Sequence, residues 1–223
     1  MDLVSDRILR FYNSLDIPKG IPDDIEVLNP FKESRVQKII EEFYARFYSD
    51  RNKRVFLIGI NPGRFGAGVT GLPFTDPIRL QSLLPKYQIP GGRELSSVFI
   101  YELIEAFGGV DQFYSTFYFT SVSPLGFTSK GKNLNYYDSR PLFESIKPWM
   151  IVQMEKQLYG WGDKSTAVVI GKGDNLKHFK ALNEQNRWFG EVVSIPHPRW
   201  VMQYRLKKKD LYIHEIVKIL SSL

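Results

Sequence analysis

Cysteine is absent from all 223 residues. That excludes disulfides, thiolate nucleophiles, iron–sulfur clusters and Cys-ligated zinc together, and it fits a reducing compartment. Histidine is scarce: His178, His197 and His214 are spread out, and the latter two lack ligand-type spacing to any carboxylate cluster, so no metal site is expected. Long hydrophobic runs are missing as well. No apolar stretch approaches the ~20 residues that span a bilayer. The opening "MDLVSDRILRFYNSLDIPKG" carries early acids and lacks the apolar core of a secretory signal. A cytoplasmic protein with no membrane contact is expected.

Cofactor fingerprints are missing too. "GINPGRFGAG" (59–68) is rich in glycine, but no Lys-Ser/Thr pair follows it as a phosphate-binding loop requires. It does not open directly into a helix as a dinucleotide fingerprint does, since the loop runs on through Pro73 and Pro77. No cofactor is implied.

What is present describes a soluble globular chain, 43% hydrophobic and 24% charged. A chain of this size buries roughly 70% of its unfolded surface and needs no metal or disulfide staple. No repeat, low-complexity tract or linker divides it, so a single domain over 1–223 is expected, with 1–50 as a helical extension packed on it. The net charge of +6 is unevenly spread: residues 1–50 hold 7 basic and 10 acidic residues, the remainder 23 and 14. Within 199–209, "RWVMQYRLKKK", five basic residues occur without an acid. Such a stretch is either a solvated helix start or the footprint of a phosphate backbone. The apolar and aromatic residues interleaved in it shift the balance toward the second.

Hydrophobic periodicity predicts helices over 3–15, 32–49, 95–107 and 139–159, the last kinked or split at Pro148, then over 172–183 and through to Leu220. Short continuous apolar runs predict strands at 54–60, 116–124, 166–171 and 191–196. Segments 61–78 and 126–138 read as loops. Strands alternating with helices predict a three-layer α/β/α fold with a central, mostly parallel four-stranded sheet, plus N-terminal helices. Ligands in such sheets bind beyond the carboxyl ends of the strands. Those ends carry Asn61, Ser121, Gly171 and His197.

"GINPGRFGAGVTGLPFTDP" closely resembles the first motif of the single-strand-selective monofunctional uracil-DNA glycosylases, within the uracil-DNA glycosylase superfamily. Gly59, Asn61, Pro62, Gly63, Phe65, Gly66, Thr70, Gly71, Pro73 and Phe74 match the family pattern. "SPLGFTSKGKNLN", "AVVIGKG" and "HPR" resemble later family motifs, so the likeness runs from about residue 50 onward. The resemblance implies a metal-free hydrolase that removes deaminated bases, flipped out of single- or double-stranded DNA, and so initiates base excision repair. It would act as a monomer.

The implied roles are Asn61 positioning the attacking water and His197 hydrogen-bonding the base as charge develops on it. Phe74 would stack on the extruded base, while Gly59, Ile60, Gly63, Phe65 and Gly66 line the substrate and Ser121 reads it. Trp200, Val201 and Met202 are the candidate wedges for the gap in the helix. Arg199, Arg205, Lys207, Lys208 and Lys209 would meet phosphates.

Two departures from the family pattern stand out. Where the family places a base-reading Asn, this chain has Ser121. An amide presents a donor and an acceptor together, whereas a hydroxyl is one rotatable group. Broader or shifted base choice is expected, with xanthine and hypoxanthine beside uracil. The stretch after His197 also lacks the Ser-Pro that the family carries between His-Pro and Arg. Two other readings stand beside excision of bases from DNA. One is a non-catalytic binder of damaged or single-stranded nucleic acid, and the other is hydrolysis of free nucleosides.

Overall fold

A computed structural model describes residues 2–223. In chain order its elements are α1 (Val4–Asn13), β1 (Glu26–Leu28), α2 (Ser34–Phe47), β2 (Arg54–Gly59), α3 (Ala67–Thr70) and α4 (Pro77–Leu83). Then follow α5 (Leu95–Phe107), α6 (Val110–Thr116), β3 (Phe117–Ser121), β4 (Gly126–Ser129) and β5 (Lys132–Leu134). The chain closes with α7 (Arg140–Trp161), β6 (Gly162–Ile170), α8 (Asp174–Asn186), β7 (Glu191–Ile195), α9 (Pro198–Tyr204) and α10 (Lys209–Leu220). No described helix is long and apolar enough to cross a membrane.

The main sheet has the order β3-β2-β6-β7, with every neighbouring pair parallel. All six residues of β2 are buried, as a parallel strand covered by helices on both faces requires. The register brings the carboxyl ends level: Gly59 lies beside Ser121, Ile58 beside Val169, and Ile170 beside Ile195. β2, the first of these four strands in sequence, therefore lies between β3 and β6, and the loops leaving β2 and β6 part there in opposite directions.

The helices follow from their apolar spacing. In α2, Val36, Ile39, Ile40, Phe43, Tyr44 and Phe47 are buried at steps of three and four. Helix α7 runs unbroken through Pro148, so it is not split there. Pro148 lies on the exposed face, where water can satisfy the carbonyl that loses its partner one turn earlier.

The segment expected as a polar loop at 126–138 is instead a hairpin. β4 and β5 pair antiparallel across Lys130-Gly131, and both turn residues have positive φ, 49° and 69°, the requirement of a two-residue primed turn. β4 pairs in turn with β1, with Leu28 opposite Gly126. The N-terminal extension is thus not purely helical. It supplies the edge strand of a second, three-stranded sheet.

One buried charge fastens the base of β2. The Arg54 side chain is 0% exposed and binds both carboxylate oxygens of Asp50, at 3.0 and 2.7 Å. It also donates to the carbonyls of Asn52 and Tyr114, at 2.6 and 2.8 Å. The Arg54 hydrogen bonds hold the Asp50 carboxyl below its usual pKa. Asp50→Ala leaves this guanidinium buried without a counter-ion, at an expected cost of about 2–3 kcal/mol near neutral pH. Because the folded-state pKa of Asp50 is lowered, its contribution is complete above the ordinary carboxylate range and is lost as pH falls through the folded value. Urea unfolding at pH 7 and again at about pH 3 should therefore show the wild-type and variant stabilities converging in acid.

Candidate active site

Beyond the carboxyl ends of the main sheet lies an open cavity of about 410 Å³. Gly59, Ile60, Asn61, Gly63, Phe74, Ser121, His197, Arg199 and Trp200 all line it. Residues separated by more than 130 positions in sequence meet there because parallel strands deliver all their outgoing loops to one edge.

Asn61 leaves β2 and is held from the hairpin side. Its Nδ2 donates to the carbonyls of Leu134 (3.2 Å) and Pro62 (3.4 Å), and its Oδ1 accepts from the Tyr136 N–H (3.0 Å). An amide has two donor hydrogens and two acceptor lone pairs. Both donors are occupied, and one lone pair on Oδ1 remains for a ligand or a water. Tyr136 is itself fixed: it is fully buried, and its hydroxyl donates to Asn175 Oδ1 (3.2 Å), whose Nδ2 donates to the Ile170 carbonyl at the end of β6 (3.2 Å).

The loop after Asn61 is pinned by the same hairpin. Asn133 Oδ1 accepts from the Arg64 N–H (3.1 Å), and the Arg64 guanidinium donates to the Gly131 carbonyl. A Cβ added to Gly126 would come within 2.3 Å of the Pro62 carbonyl oxygen, so the two segments touch backbone to backbone.

Phe74 has φ of 54°, a conformation that costs a residue with a side chain about 1–3 kcal/mol and that clusters at ligand sites. Thr70 holds the turn in place. Its buried hydroxyl donates to the Thr75 carbonyl (2.7 Å) and accepts from the Leu72 N–H (3.2 Å). The Phe74 ring lies against Gly59, where a Cβ would approach to 3.3 Å, and packs on Phe119 with centroids 5.2 Å apart. Asp76, just beyond, caps α4 and binds the Arg79 and Glu94 N–H groups, at 2.8 Å each. It is a turn carboxylate, fully buried.

His197 is the N-cap of α9, and Pro198 starts the helix with its φ already suited. Its Nδ1 accepts from the Arg199 N–H at 3.1 Å, which places the proton of the neutral ring on Nε2. Burial, and after it the charge of Arg199, push its pKa down to about 4. His197 is a neutral donor.

Several expected residues lie elsewhere. Phe65 is 56% exposed beneath the Arg64 guanidinium, and Gly66 backs onto the Glu94 carboxylate; neither lines the cavity. Val201, expected as a wedge, is fully buried in the core, and Met202 is half-buried against it. Both lie on the helix α9, whose period of 3.6 turns them inward. Trp200, Gln203 and Tyr204 point outward and line the cavity. Arg205, which stands over the Trp200 ring, Lys207 and Lys208 are exposed, whereas Lys209 is paired with Glu102 and Asp210.

Glu94, Ser96, Asn133 and Asn135 also line the cavity without having been singled out from sequence. Asn133 lies in the quoted "KGKNLN". Nothing local marks Glu94 or Ser96, which begin a helix far along the chain.

A family model of the uracil DNA glycosylase superfamily matches residues 45–221. Among solved structures, the crystal structure of wild-type SMUG2 from Pedobacter heparinus superimposes with a TM-score of 0.95 at 39% identity. The match covers 100% of this chain and 98% of that one. No curated protein matches the chain.

The state of His197 is open to direct measurement. In ¹⁵N-detected NMR it should appear as the neutral tautomer protonated at Nε2 and begin to titrate only near pH 4, well below an ordinary histidine. A midpoint near 6.5 would contradict the half-buried, Arg199-facing position.

Proposed function

The chain belongs to the uracil-DNA glycosylase superfamily and is a DNA glycosylase, a hydrolase of N-glycosidic bonds; from that premise we propose that it removes deaminated bases flipped from DNA, uracil and also xanthine and hypoxanthine, and so initiates base excision repair. The observation that carries the reading is the convergence of two neutral groups on one cavity, an Asn61 oxygen with one free lone pair and the free Nε2–H of His197.

In this mechanism the base enters between Phe74 and the strand ends, where stacking on an aromatic ring contributes about 1–3 kcal/mol. As the N-glycosidic bond breaks, negative charge collects on the base and positive charge on the sugar. His197 donates from Nε2 to the base oxygen on which charge grows. A neutral imidazole is far too weak an acid to give up its Nε2 proton, so it acts as a preorganised hydrogen-bond donor, a type of stabilisation whose loss costs about 10²–10³ in rate. Asn61, its amide locked by Leu134 and Tyr136, accepts from a water and aims it at the sugar carbon. Because the bond breaks with little push from the nucleophile, a neutral Asn suffices where a stronger base would be needed for a poorer leaving group.

Ser121 ends β3 beside Gly59, and its hydroxyl has no hydrogen-bond partner among the described residues. It is available to the base edge as a donor or an acceptor, which supports a choice wider than uracil. The exposed face of α9, with Trp200 and Tyr204 39% and 64% exposed, meets the DNA. Arg199, Arg205, Lys207 and Lys208 lie along its phosphates.

The test is base release from matched oligonucleotides carrying uracil, xanthine or hypoxanthine. Wild type should release all three, and Asn61→Ala or His197→Ala should each slow release by about 10²-fold or more. Ser121→Asn should narrow the choice toward uracil. Efficient uracil release with none of either purine would refute the broader substrate range. Salt-sensitive binding with no release of any base would identify a binding module instead. Trp200→Ala should slow duplex substrates more than single strands, as measured by single-turnover excision on both.

A further inference from the structure

The cavity contains one acidic side chain, Glu94. An acid is unexpected there, since the ligand is a polyanion and the departing base also becomes negative. Glu94 stands at the N-cap position of α5, but its side chain makes no capping hydrogen bond. Its backbone N–H is held by Asp76 Oδ2 at 2.8 Å, which fixes where the side chain begins. The carboxylate then reaches over Gly66, where a Cβ would come within 2.3 Å of Oε2. The absence of a side chain at Gly66 makes room for it.

No described residue donates a hydrogen bond to this carboxylate, and Glu94 forms no ion pair. Arg199 lines the same cavity, and its guanidinium is equally unpaired, even with Glu94. A free anion and a free cation thus share one rim. Gly59 is buried at the end of β2, whereas Arg199 and Trp200 are exposed on α9, so on the glycosylase reading the base belongs at the strand ends and the sugar with its phosphates where α5 begins and α9 passes.

We propose that Glu94 is a further catalytic residue, whose ionised carboxylate lies along the sugar of the flipped nucleotide and stabilises the positive charge that develops there. The proposal rests on the glycosylase reading above. The bond between C1′ and the base nitrogen breaks, and its electron pair leaves with the base. C1′ and the ring oxygen share the resulting positive charge, and the water held by Asn61 bonds to C1′. The proton lost by that water is released to bulk solvent, and the base anion is protonated there once it leaves the site. Glu94 forms no bond and takes no proton. Its charge acts on the cation across a site from which the substrate excludes water, where such charges act strongly. Arg199 serves the adjoining phosphate, and the N-terminal end of α5 favours the anion.

The groups facing Glu94 are Asp76 at the cap of α4 and Arg199 on α9. Burial first, and then Asp76, raise its pKa, while Arg199 lowers it. Activity that needs the anion is therefore lost at a higher pH than for an ordinary glutamate, while His197 stays neutral to about 4.

The test compares wild type with Glu94→Gln, which keeps the shape and removes the charge. Single-turnover excision should fall by roughly ten-fold or more, equally on uracil and hypoxanthine, with DNA affinity unchanged or tighter. The acid limb of the wild-type pH profile should flatten in the variant. Binding gives a second readout, using oligonucleotides in which the target sugar is a protonated pyrrolidine or a neutral tetrahydrofuran. Wild type should prefer the cation and the variant should not.

Wild-type rates with a retained pyrrolidine preference in Glu94→Gln would overturn the proposal. So would a loss confined to one base, which would make Glu94 a base-reading group. Should the variant fail to fold, the wild type decides alone: its pyrrolidine preference must decline as pH falls through the Glu94 titration, and a constant preference overturns the proposal. Wild type that releases no base at all would overturn the glycosylase reading itself, a result distinct from any of these.

Discussion

The orientation of a single amide organises the catalytic end of this protein. Asn61 is bonded through three of its four hydrogen-bonding positions, two carbonyls and one N–H, all from the backbone. Backbone partners cannot rotate away as side chains can, so the remaining lone pair has one direction. Two of the three partners, Leu134 and Tyr136, lie at the end of the β4–β5 hairpin, which is itself paired to β1. A residue of the loop leaving the main sheet is therefore aimed by a second sheet whose edge strand comes from the first thirty residues. The family model begins only at residue 45, yet the strand before it belongs to the scaffold of the site.

Electrostatics divide the molecule in a consistent way. The buried charge at the base of β2, Arg54, is surrounded by partners, Asp50 and two carbonyls. At the cavity, the groups assigned to chemistry are neutral or unpaired: an amide, an imidazole held neutral by burial, and the rim ions Glu94 and Arg199. Leaving polar groups unsatisfied lowers stability locally, and binding sites are where such groups find their partners in the ligand.

Much of this was legible in the sequence for a physical reason. A strand buried on both faces must be continuously apolar, so the four parallel strands announce themselves within a few residues of their ends. Motif spacing likewise marked Asn61, His197, Phe74 and Ser121, because the turn after each strand is a local problem solved by local residues. Thr70 and Gly71, for example, set the turn that brings Phe74 into its positive φ. The hairpin at 126–134 was not legible. Its strands are three or four residues long and largely polar, and its pairing partner β1 lies about a hundred residues away.

What the sequence by itself determined was the parallel sheet, the edge at which its loops emerge, and the identity of the residues those loops carry. Tertiary structure alone decided which of them face the cavity. The α9 segment shows why: its composition marks it as basic and apolar, but only helical geometry sends Val201 into the core and Trp200 and Tyr204 outward. It decided, too, that Glu94 joins a site built by strands far from it in sequence, since no periodicity or spacing encodes a contact between the start of one helix and a loop glycine. Local patterns follow from the bonding of near neighbours, whereas the direction of a side chain in a shared cavity follows from how whole elements pack.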